Sequence, residues 1–436
     1  MDRIVDLIQS KRRGADLTLA DFERLINGYT LNEISDAQMG ALLMAGTCMG
    51  FSDAEAVALT TAMLRCGERL ELPEGGRPTV DCCSTGGVGD KTPLIVAPIA
   101  AAAGVSVPVI AERGSDHIIG SLEKLGSIPG FRTDLEVSDF AGLVAEHGLA
   151  FAQQSNALAP AEKRLHDLRD ETATMDSLAL IAASAMSKKL AEEIRGLVVD
   201  IKVSKSSLLS GRNEARRLAQ LMIAIGRKHD CKVQALLTDM DQPLGYTVGN
   251  ALEIMEVSQT LQGQGPEDVS GLAVELAARM IYLSDTSISI EDARERANAV
   301  IQDGSALQML ANVIKAQGGD PAVLTDFAQL PNPAGAEPVT SPRDGYVSRI
   351  NAEDIGRAAV MLGAGRASAD DSVDPAVGVV LETKVGQQVV NGTRLCALYY
   401  NSEEHLEEAR QLVEDAFRIS SQPPADRELV LDLVQG

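Results

Sequence analysis

The stretch Val80-Asp-Cys-Cys-Ser-Thr-Gly-Gly-Val-Gly-Asp-Lys-Thr-Pro93 sets a short apolar run, a glycine turn and a helix start one after another. Glycines let backbone amides approach an anion closely, and the helix dipole behind them favours negative charge. Thr92 is expected as the N-cap and Pro93 as the first helical residue. Such a loop can cradle an anion, but a purely structural strand-to-helix turn has the same appearance, since glycine turns are common in α/β folds. Downstream, PLIVAPIAAAAG and VSVPVIAERG repeat the alternation of apolar run, glycine and helical stretch, which indicates a parallel α/β sheet.

Upstream, FERLINGYT and MGALLMAGTCMG carry apolar residues at three- and four-residue spacing, so residues 1–66 read as a small helical unit. The α/β texture of 67–159 is interrupted at 160–193 by a long helical pattern containing SLALIAASAMSKKLAEEI. Folded back on the N-terminal helices, this segment makes the helical domain discontinuous. GLVVDIKV and KVQALLTDM resume the strand and helix alternation, expected to run through 194–335. LPNPAGAEPVTSPRDG then reads as a linker. The tail, 345–436, has short β-like runs (GVVLETKV, RLCALYY) and a final acidic helix around EEHLEEARQLVEDAF, hence an α+β domain. The fold class is therefore α/β with an α+β tail.

The chain has 436 residues, too many for one ordinary core, and 45% of them are hydrophobic. A formal net charge of −23 opposes nucleic acids and anionic membranes as partners. Aromatic residues make up 3% and Trp is absent, so base-stacking platforms have little material. No apolar run of about twenty residues is present. The start, MDRIVDLIQSKRRGADL, lacks a signal-peptide apolar region, so a cytoplasmic location is expected. The cysteines Cys48, Cys66, Cys82, Cys83, Cys231 and Cys396 form no CxxC pair, and neither a metal site nor a disulfide framework is expected.

With GYTLNEISDAQMGALLMA, LEKLGSIPGF, SNALAPAEKRLHDLRDETATMDSLALIAASAMSKKLAE, LLTDMDQPLGYTVGNALE and DPAVGVVLETKVGQQVVNGTRL, the chain resembles the thymidine and pyrimidine nucleoside phosphorylase family along nearly its whole length. The resemblance implies a pentosyltransferase: phosphate attacks C1′ of a pyrimidine nucleoside and releases base and pentose 1-phosphate. It also implies a homodimer through the helical domain, nucleoside and phosphate as the small-molecule partners, and no organic cofactor. In some relatives a potassium ion is held by the loop backbone and a glutamate matched here by Glu256; the Lys91 ammonium can replace it.

The same resemblance assigns residues. On the phosphate side it points to Ser84, Thr85, Gly86, Gly87, Thr92, Arg113 and Ser121, with Lys124 a further family cation and Lys91 additional. On the base side it points to Arg169, Ser184 and Lys188, expected to stabilise the charge on the departing base, with His166, His117 and Ser115 bordering the pocket. Ser184 and Lys188, four apart, share a helix face.

Departures cluster at the phosphate side. Cys82 and Cys83 stand where the family has Lys-His, and Pro93 where it has Ser. The family's Ser-Gly-Arg-Gly-Leu-Gly-His-Thr-Gly-Gly-Thr becomes Ala111-Glu-Arg-Gly-Ser-Asp-His-Ile-Ile-Gly-Ser121, which brings in Glu112 and Asp116. These two acids are expected either to pair with Lys91, Arg113 or Lys124, or to serve another nucleophile. A hydrolase or other transferase is the alternative activity, and a nucleoside-binding protein without catalysis is the second alternative. Cysteines beside a strand are more often core residues than nucleophiles.

Overall fold

The computed structural model describes residues 3–73, 75–114, 116–204, 211–366 and 371–436. Four helices open the chain: α1 (Ile4–Arg12), α2 (Leu19–Thr30), α3 (Asp36–Met49) and α4 (Asp53–Arg65). Thr18, Ser35 and Ser52 each cap a helix by accepting a hydrogen bond from the amide three residues on, which fixes where α2, α3 and α4 begin.

β1 (Val80–Ser84), α5 (Thr92–Ala102), β2 (Val107–Ala111), α6 (Ser121–Gly126), α7 (Val137–His147) and β3 (Leu149–Gln153) follow. Then come α8 (Pro160–Glu171) and α9 (Leu178–Ala191), two helices rather than one, broken at 172–177. They rejoin the N-terminal bundle: Ala161, Leu165, Leu168, Leu180 and Ala183 share an apolar cluster with Phe22, Leu25, Leu42 and Met63. The other face of α9, with Ala182, Met186 and Leu190, packs into the cluster under the sheet. α9 is thus the wall between the two parts.

β4 (Gly196–Val203), α10 (Arg212–Lys228) and β5 (Lys232–Asp239) complete the parallel core. β1 pairs with β4 and β4 with β5, all parallel, and β2 pairs parallel with β3. β4 is buried along its whole length, as a central strand covered on both faces must be.

Beyond β5 the expected strand and helix alternation stops. After the short β6 (Thr247–Gly249) the chain runs through α11 (Asn250–Leu261), α12 (Glu267–Ser284), α13 (Ile290–Gln302) and α14 (Ser305–Ala316). These helices bury their apolar faces against α5 and the sheet, forming one cluster with Ile95, Ile99, Val198 and Leu276. A helix as uniformly apolar as α5 needs such cover on every side.

The segment read as a linker contains a strand, β7 (Gly335–Thr340). It tolerates Pro338 because it is the edge of the order β6-β9-β11-β7. The tail continues with β8 (Gly345–Ile350), α15 (Ala352–Met361), β9 (Gly378–Leu381), β10 (Gln388–Val389), β11 (Arg394–Tyr400), α16 (Leu406–Ala416), β12 (Phe417–Ser420) and β13 (Val430–Gln435). Two strands exchange between the parts. β6 joins the C-terminal sheet beside β9, and β13 closes the edge of the large sheet antiparallel to β5. No helix among the described residues is long and apolar enough to cross a membrane.

Candidate active site

The glycine loop leaves β1 at Ser84 and enters α5 at Thr92. Gly86 (φ +90°) and Gly89 (φ +71°) are left-handed, a conformation that favours glycine. At Gly89 a Cβ would also lie 2.6 Å from the Leu244 carbonyl oxygen. The Ser84 hydroxyl donates to Asp90 Oδ2 at 2.5 Å and accepts from the Gly86 amide at 3.1 Å.

Asp90, unremarked in the sequence, organises the loop. Its Oδ1 accepts from the Thr92 amide (3.2 Å) and hydroxyl (2.6 Å). Thr92 is therefore the first helical residue and Pro93 the second, so the helix starts one residue earlier than expected, with the Asp90 carboxylate closing the turn. Burial opposes the charge on Asp90, but Lys202 at 3.8 Å and the two hydroxyls hold its pKa below the usual carboxylate range.

Several expected phosphate ligands face elsewhere. Thr85 Oγ1 accepts from the Lys202 amide at 2.9 Å, tying β1 to β4. Lys124 donates to the Asp90 carbonyl at 2.6 Å and sits 3.0 Å from Glu253. Lys91 is fully buried and bonded to the 244–247 turn. What remains on the cleft is Ser84, Gly86 and Gly87 on one wall, with Glu112, Arg113 and Ser121 opposite, around about 610 Å³ of space continuous with solvent. The Gly87 amide has no partner among the described residues.

Cys82 is buried in the main core and Cys83 is half-buried on the cleft. Burial pushes both thiols up, away from the reactive thiolate. The same cleft reaches Lys189, whose ammonium lies 2.5 Å from Asp81 and 2.9 Å from Glu192.

The base side forms on α8 and α9. Ser184 Oγ donates to Glu162 Oε1 at 2.5 Å, and Lys188 Nζ lies 3.5 Å from the same oxygen. His166 Nδ1 is 3.9 Å from it. Arg169 is buried beside them and donates to the carbonyls of Met175 (3.1 Å), Leu180 (3.4 Å) and Thr174 (3.5 Å). Its burial lowers its pKa to about 10, against the pull of Glu162 and Asp176. Glu162, His166, Arg169 and Ser184 line one small cavity with Leu43, Leu59 and Met63. Sequence reading missed Glu162, although its spacing from His166 and Arg169, four and seven residues, marks one face of α8.

The new acids part company. Glu112 pairs with none of its expected partners; its Oε1 lies 2.6 Å from Lys188 Nζ on α9. Glu112 is half-exposed; partial desolvation raises its pKa, but that ammonium outweighs it and holds the group below the ordinary glutamate value. Asp116, exposed and left-handed (φ +52°), pairs with His117 Nδ1 at 2.8 Å. Neither Asp116 nor His117 joins the base-side cluster. The His117 carbonyl instead packs on α15, 2.4 Å from where a Cβ on Gly356 would stand. Ser115 lies outside the described residues.

Comparison with known proteins follows this division. Residues 5–67 match the glycosyl transferase family helical bundle domain, 76–307 the glycosyl transferase family a/b domain, and 346–420 the pyrimidine nucleoside phosphorylase C-terminal domain. Pyrimidine-nucleoside phosphorylase of Geobacillus stearothermophilus is 41% identical over 99% of this chain and 100% of its own. That of Bacillus subtilis is 40% identical over 98% of each. Among solved structures, anthranilate phosphoribosyltransferase of Thermus thermophilus superposes with a TM-score of 0.60 at 16% identity, over 71% of this chain and 98% of that one, a likeness of fold alone. By the length and level of these matches, the chain belongs to the pyrimidine-nucleoside phosphorylase family.

Proposed function

We propose that this chain cleaves pyrimidine nucleosides by phosphorolysis, giving free base and pentose 1-phosphate. The observation that carries this reading is the Glu112–Lys188 contact, which joins the glycine-loop cleft to the Ser184–Glu162 cluster. A nucleoside can lie with its base against α9 and its C1′ toward Ser84 and Ser121. Relatives named pyrimidine-nucleoside phosphorylase cover 98% and 99% of the chain.

Lys188 is suited to meet charge rather than to donate a proton. Burial opposes its cationic form, but Glu112 and Glu162 override that and hold its pKa above ordinary lysine. A fixed ammonium stabilises the oxyanion that develops as the base departs. Phosphate is left with the Ser121 hydroxyl, the Gly87 amide and the exposed Arg113, because Ser84 already donates to Asp90. Lys188 offsets only part of the Glu112 charge, and the remainder repels phosphate.

Incubating uridine or thymidine with and without phosphate and assaying free base tests the reading. Base release only with phosphate supports phosphorolysis. Release without it favours hydrolysis, a reading to which the Glu112 carboxylate on the cleft wall lends support. Nucleoside binding with no release in either buffer leaves a binding protein.

The working form in this reading is a cytoplasmic homodimer. Ala37, Ala41, Met44 and Cys48 make an exposed stripe at helical spacing on α3, continued by exposed Met49 at the helix end. Light scattering on wild type and Met44→Glu tests it; a monomeric wild type removes the dimer.

A further inference from the structure

The Lys91 side chain leaves the end of the glycine loop and runs inward, with no solvent exposure. Its ammonium donates to the Leu244 carbonyl at 3.2 Å, the Thr247 carbonyl at 3.1 Å and Glu256 Oε2 at 2.5 Å. Three donors meet three acceptors, so the group is fully satisfied. Glu253 lies 3.9 Å away as a second acid. Burial alone would drive the proton off, yet the carboxylates of Glu256 and Glu253 outweigh it and keep the pKa above ordinary lysine.

The acceptors are a built shell. Glu256 also receives the Tyr246 amide at 2.9 Å and the Thr247 hydroxyl at 3.1 Å. Gly245 passes so close that a Cβ there would lie 2.2 Å from Glu256 Oε2. From the other side Lys384, on the C-terminal domain, donates to the Pro243 and Gly245 carbonyls at 2.6 and 2.7 Å. The 243–247 turn is therefore gripped by two lysines, and the Val88 carbonyl accepts from its Leu244 amide at 3.0 Å.

Two carbonyls and a carboxylate converging on one point are the oxygen ligands of a dehydrated monovalent cation. Potassium and ammonium carry the same charge and are close in radius, so one shell suits either. Here the lysine nitrogen already occupies the point. The potassium ion implied by the family resemblance does not fit these residues.

We infer that Lys91 is a tethered replacement for a monovalent cation, pinning the glycine loop to the 244–247 turn so that the fold and the site need no added ion. Lys91 acts here as a positioning residue, through the loop that carries Ser84, Gly86 and Gly87.

The test compares the full-length protein in potassium chloride and in choline chloride at equal ionic strength, about 0.1 M, so that screening is constant. Wild type is expected to show the same melting temperature and the same initial rate in both. Lys91→Ala is expected to melt about 5 °C or more lower in choline, and to recover saturably with potassium or ammonium ions. A saturable, potassium-specific rise in wild type overturns the inference. So does a Lys91→Ala protein that no potassium concentration restabilises, or one that cannot be recovered folded from cells, where potassium is abundant. Melting reports the tether whether or not nucleoside is cleaved, so a failure here is separable from a failure of phosphorolysis.

Discussion

The ammonium of Lys188, on α9, lies 2.6 Å from the carboxylate of Glu112, which follows β2 and lines the cleft. An acid from the anion side thus restrains the cation of the base side. Glu112→Gln removes a charge that repels phosphate and is expected to lower the KM for phosphate about tenfold. The folded pKa of Glu112 lies below the ordinary 4.5, so the pair is intact above that value and is lost as pH falls through the folded pKa. An unchanged KM for phosphate at pH 7 in Glu112→Gln would sink the repulsion argument.

Lys188→Ala is expected to lower the single-turnover cleavage rate by on the order of 10². Arg169→Ala is expected to do the same. Because Arg169 also ties down the carbonyls of Thr174, Met175 and Leu180, its loss should lower the melting temperature too. Wild-type rates in either variant would remove the base-side assignment.

Gly356 on α15 supports both anion-side loops. A Cβ there would stand 2.4 Å from the His117 carbonyl oxygen and 3.0 Å from Val88 Cγ2. Gly356→Ala is expected to shift these loops, costing about 1–3 kcal/mol in stability and raising the KM for phosphate. Denaturant unfolding and phosphate kinetics check this; wild-type values in both would show that the contact relaxes freely.

Glu192 is buried between Lys189 and Asp81, and burial raises its pKa well above the ordinary value, with Lys189 opposing and Asp81 reinforcing. A raised folded pKa means that the native state holds the proton more tightly than the unfolded chain. That stabilisation is complete below the unfolded pKa and is lost as pH rises through the folded one. Glu192→Gln mimics the protonated acid. It should flatten that decline and leave the melting temperature at pH 5 close to wild type, and a steep loss at pH 5 would instead mark Glu192 as an ionised partner of Lys189.

Cys83 faces the cleft with its thiol pKa pushed up by burial. Cys83→Ala is expected to keep the cleavage rate within about twofold of wild type, since little thiolate exists at neutral pH. A loss comparable to that of Lys188→Ala would reopen covalent catalysis.

The sequence by itself determined the elements whose signal is local. GLVVDIKV and KVQALLTDM are strands because unbroken apolar runs of that length belong in a buried parallel sheet, and they fold as β4 and β5. Capping serines and threonines mark where helices start. Ser184 and Lys188 share a face because helical periodicity puts them there. Tertiary structure decided the rest. β7 reads as a linker because a strand holding Pro338 is tolerated only at a sheet edge, and which strand is an edge depends on partners far along the chain. β6 and β13 pair outside their own sequence neighbourhoods for the same reason. Charges were the least legible, because a carboxylate's role depends on which cation the fold brings within a few ångströms of it. Asp90 closes a helix turn, Glu162 collects Ser184 and Lys188, and Glu112 reaches Lys188 on α9. The Asp90 turn lies within two residues of sequence, but the partners of Glu162 and Glu112 lie more than twenty residues away and are not written into the local sequence.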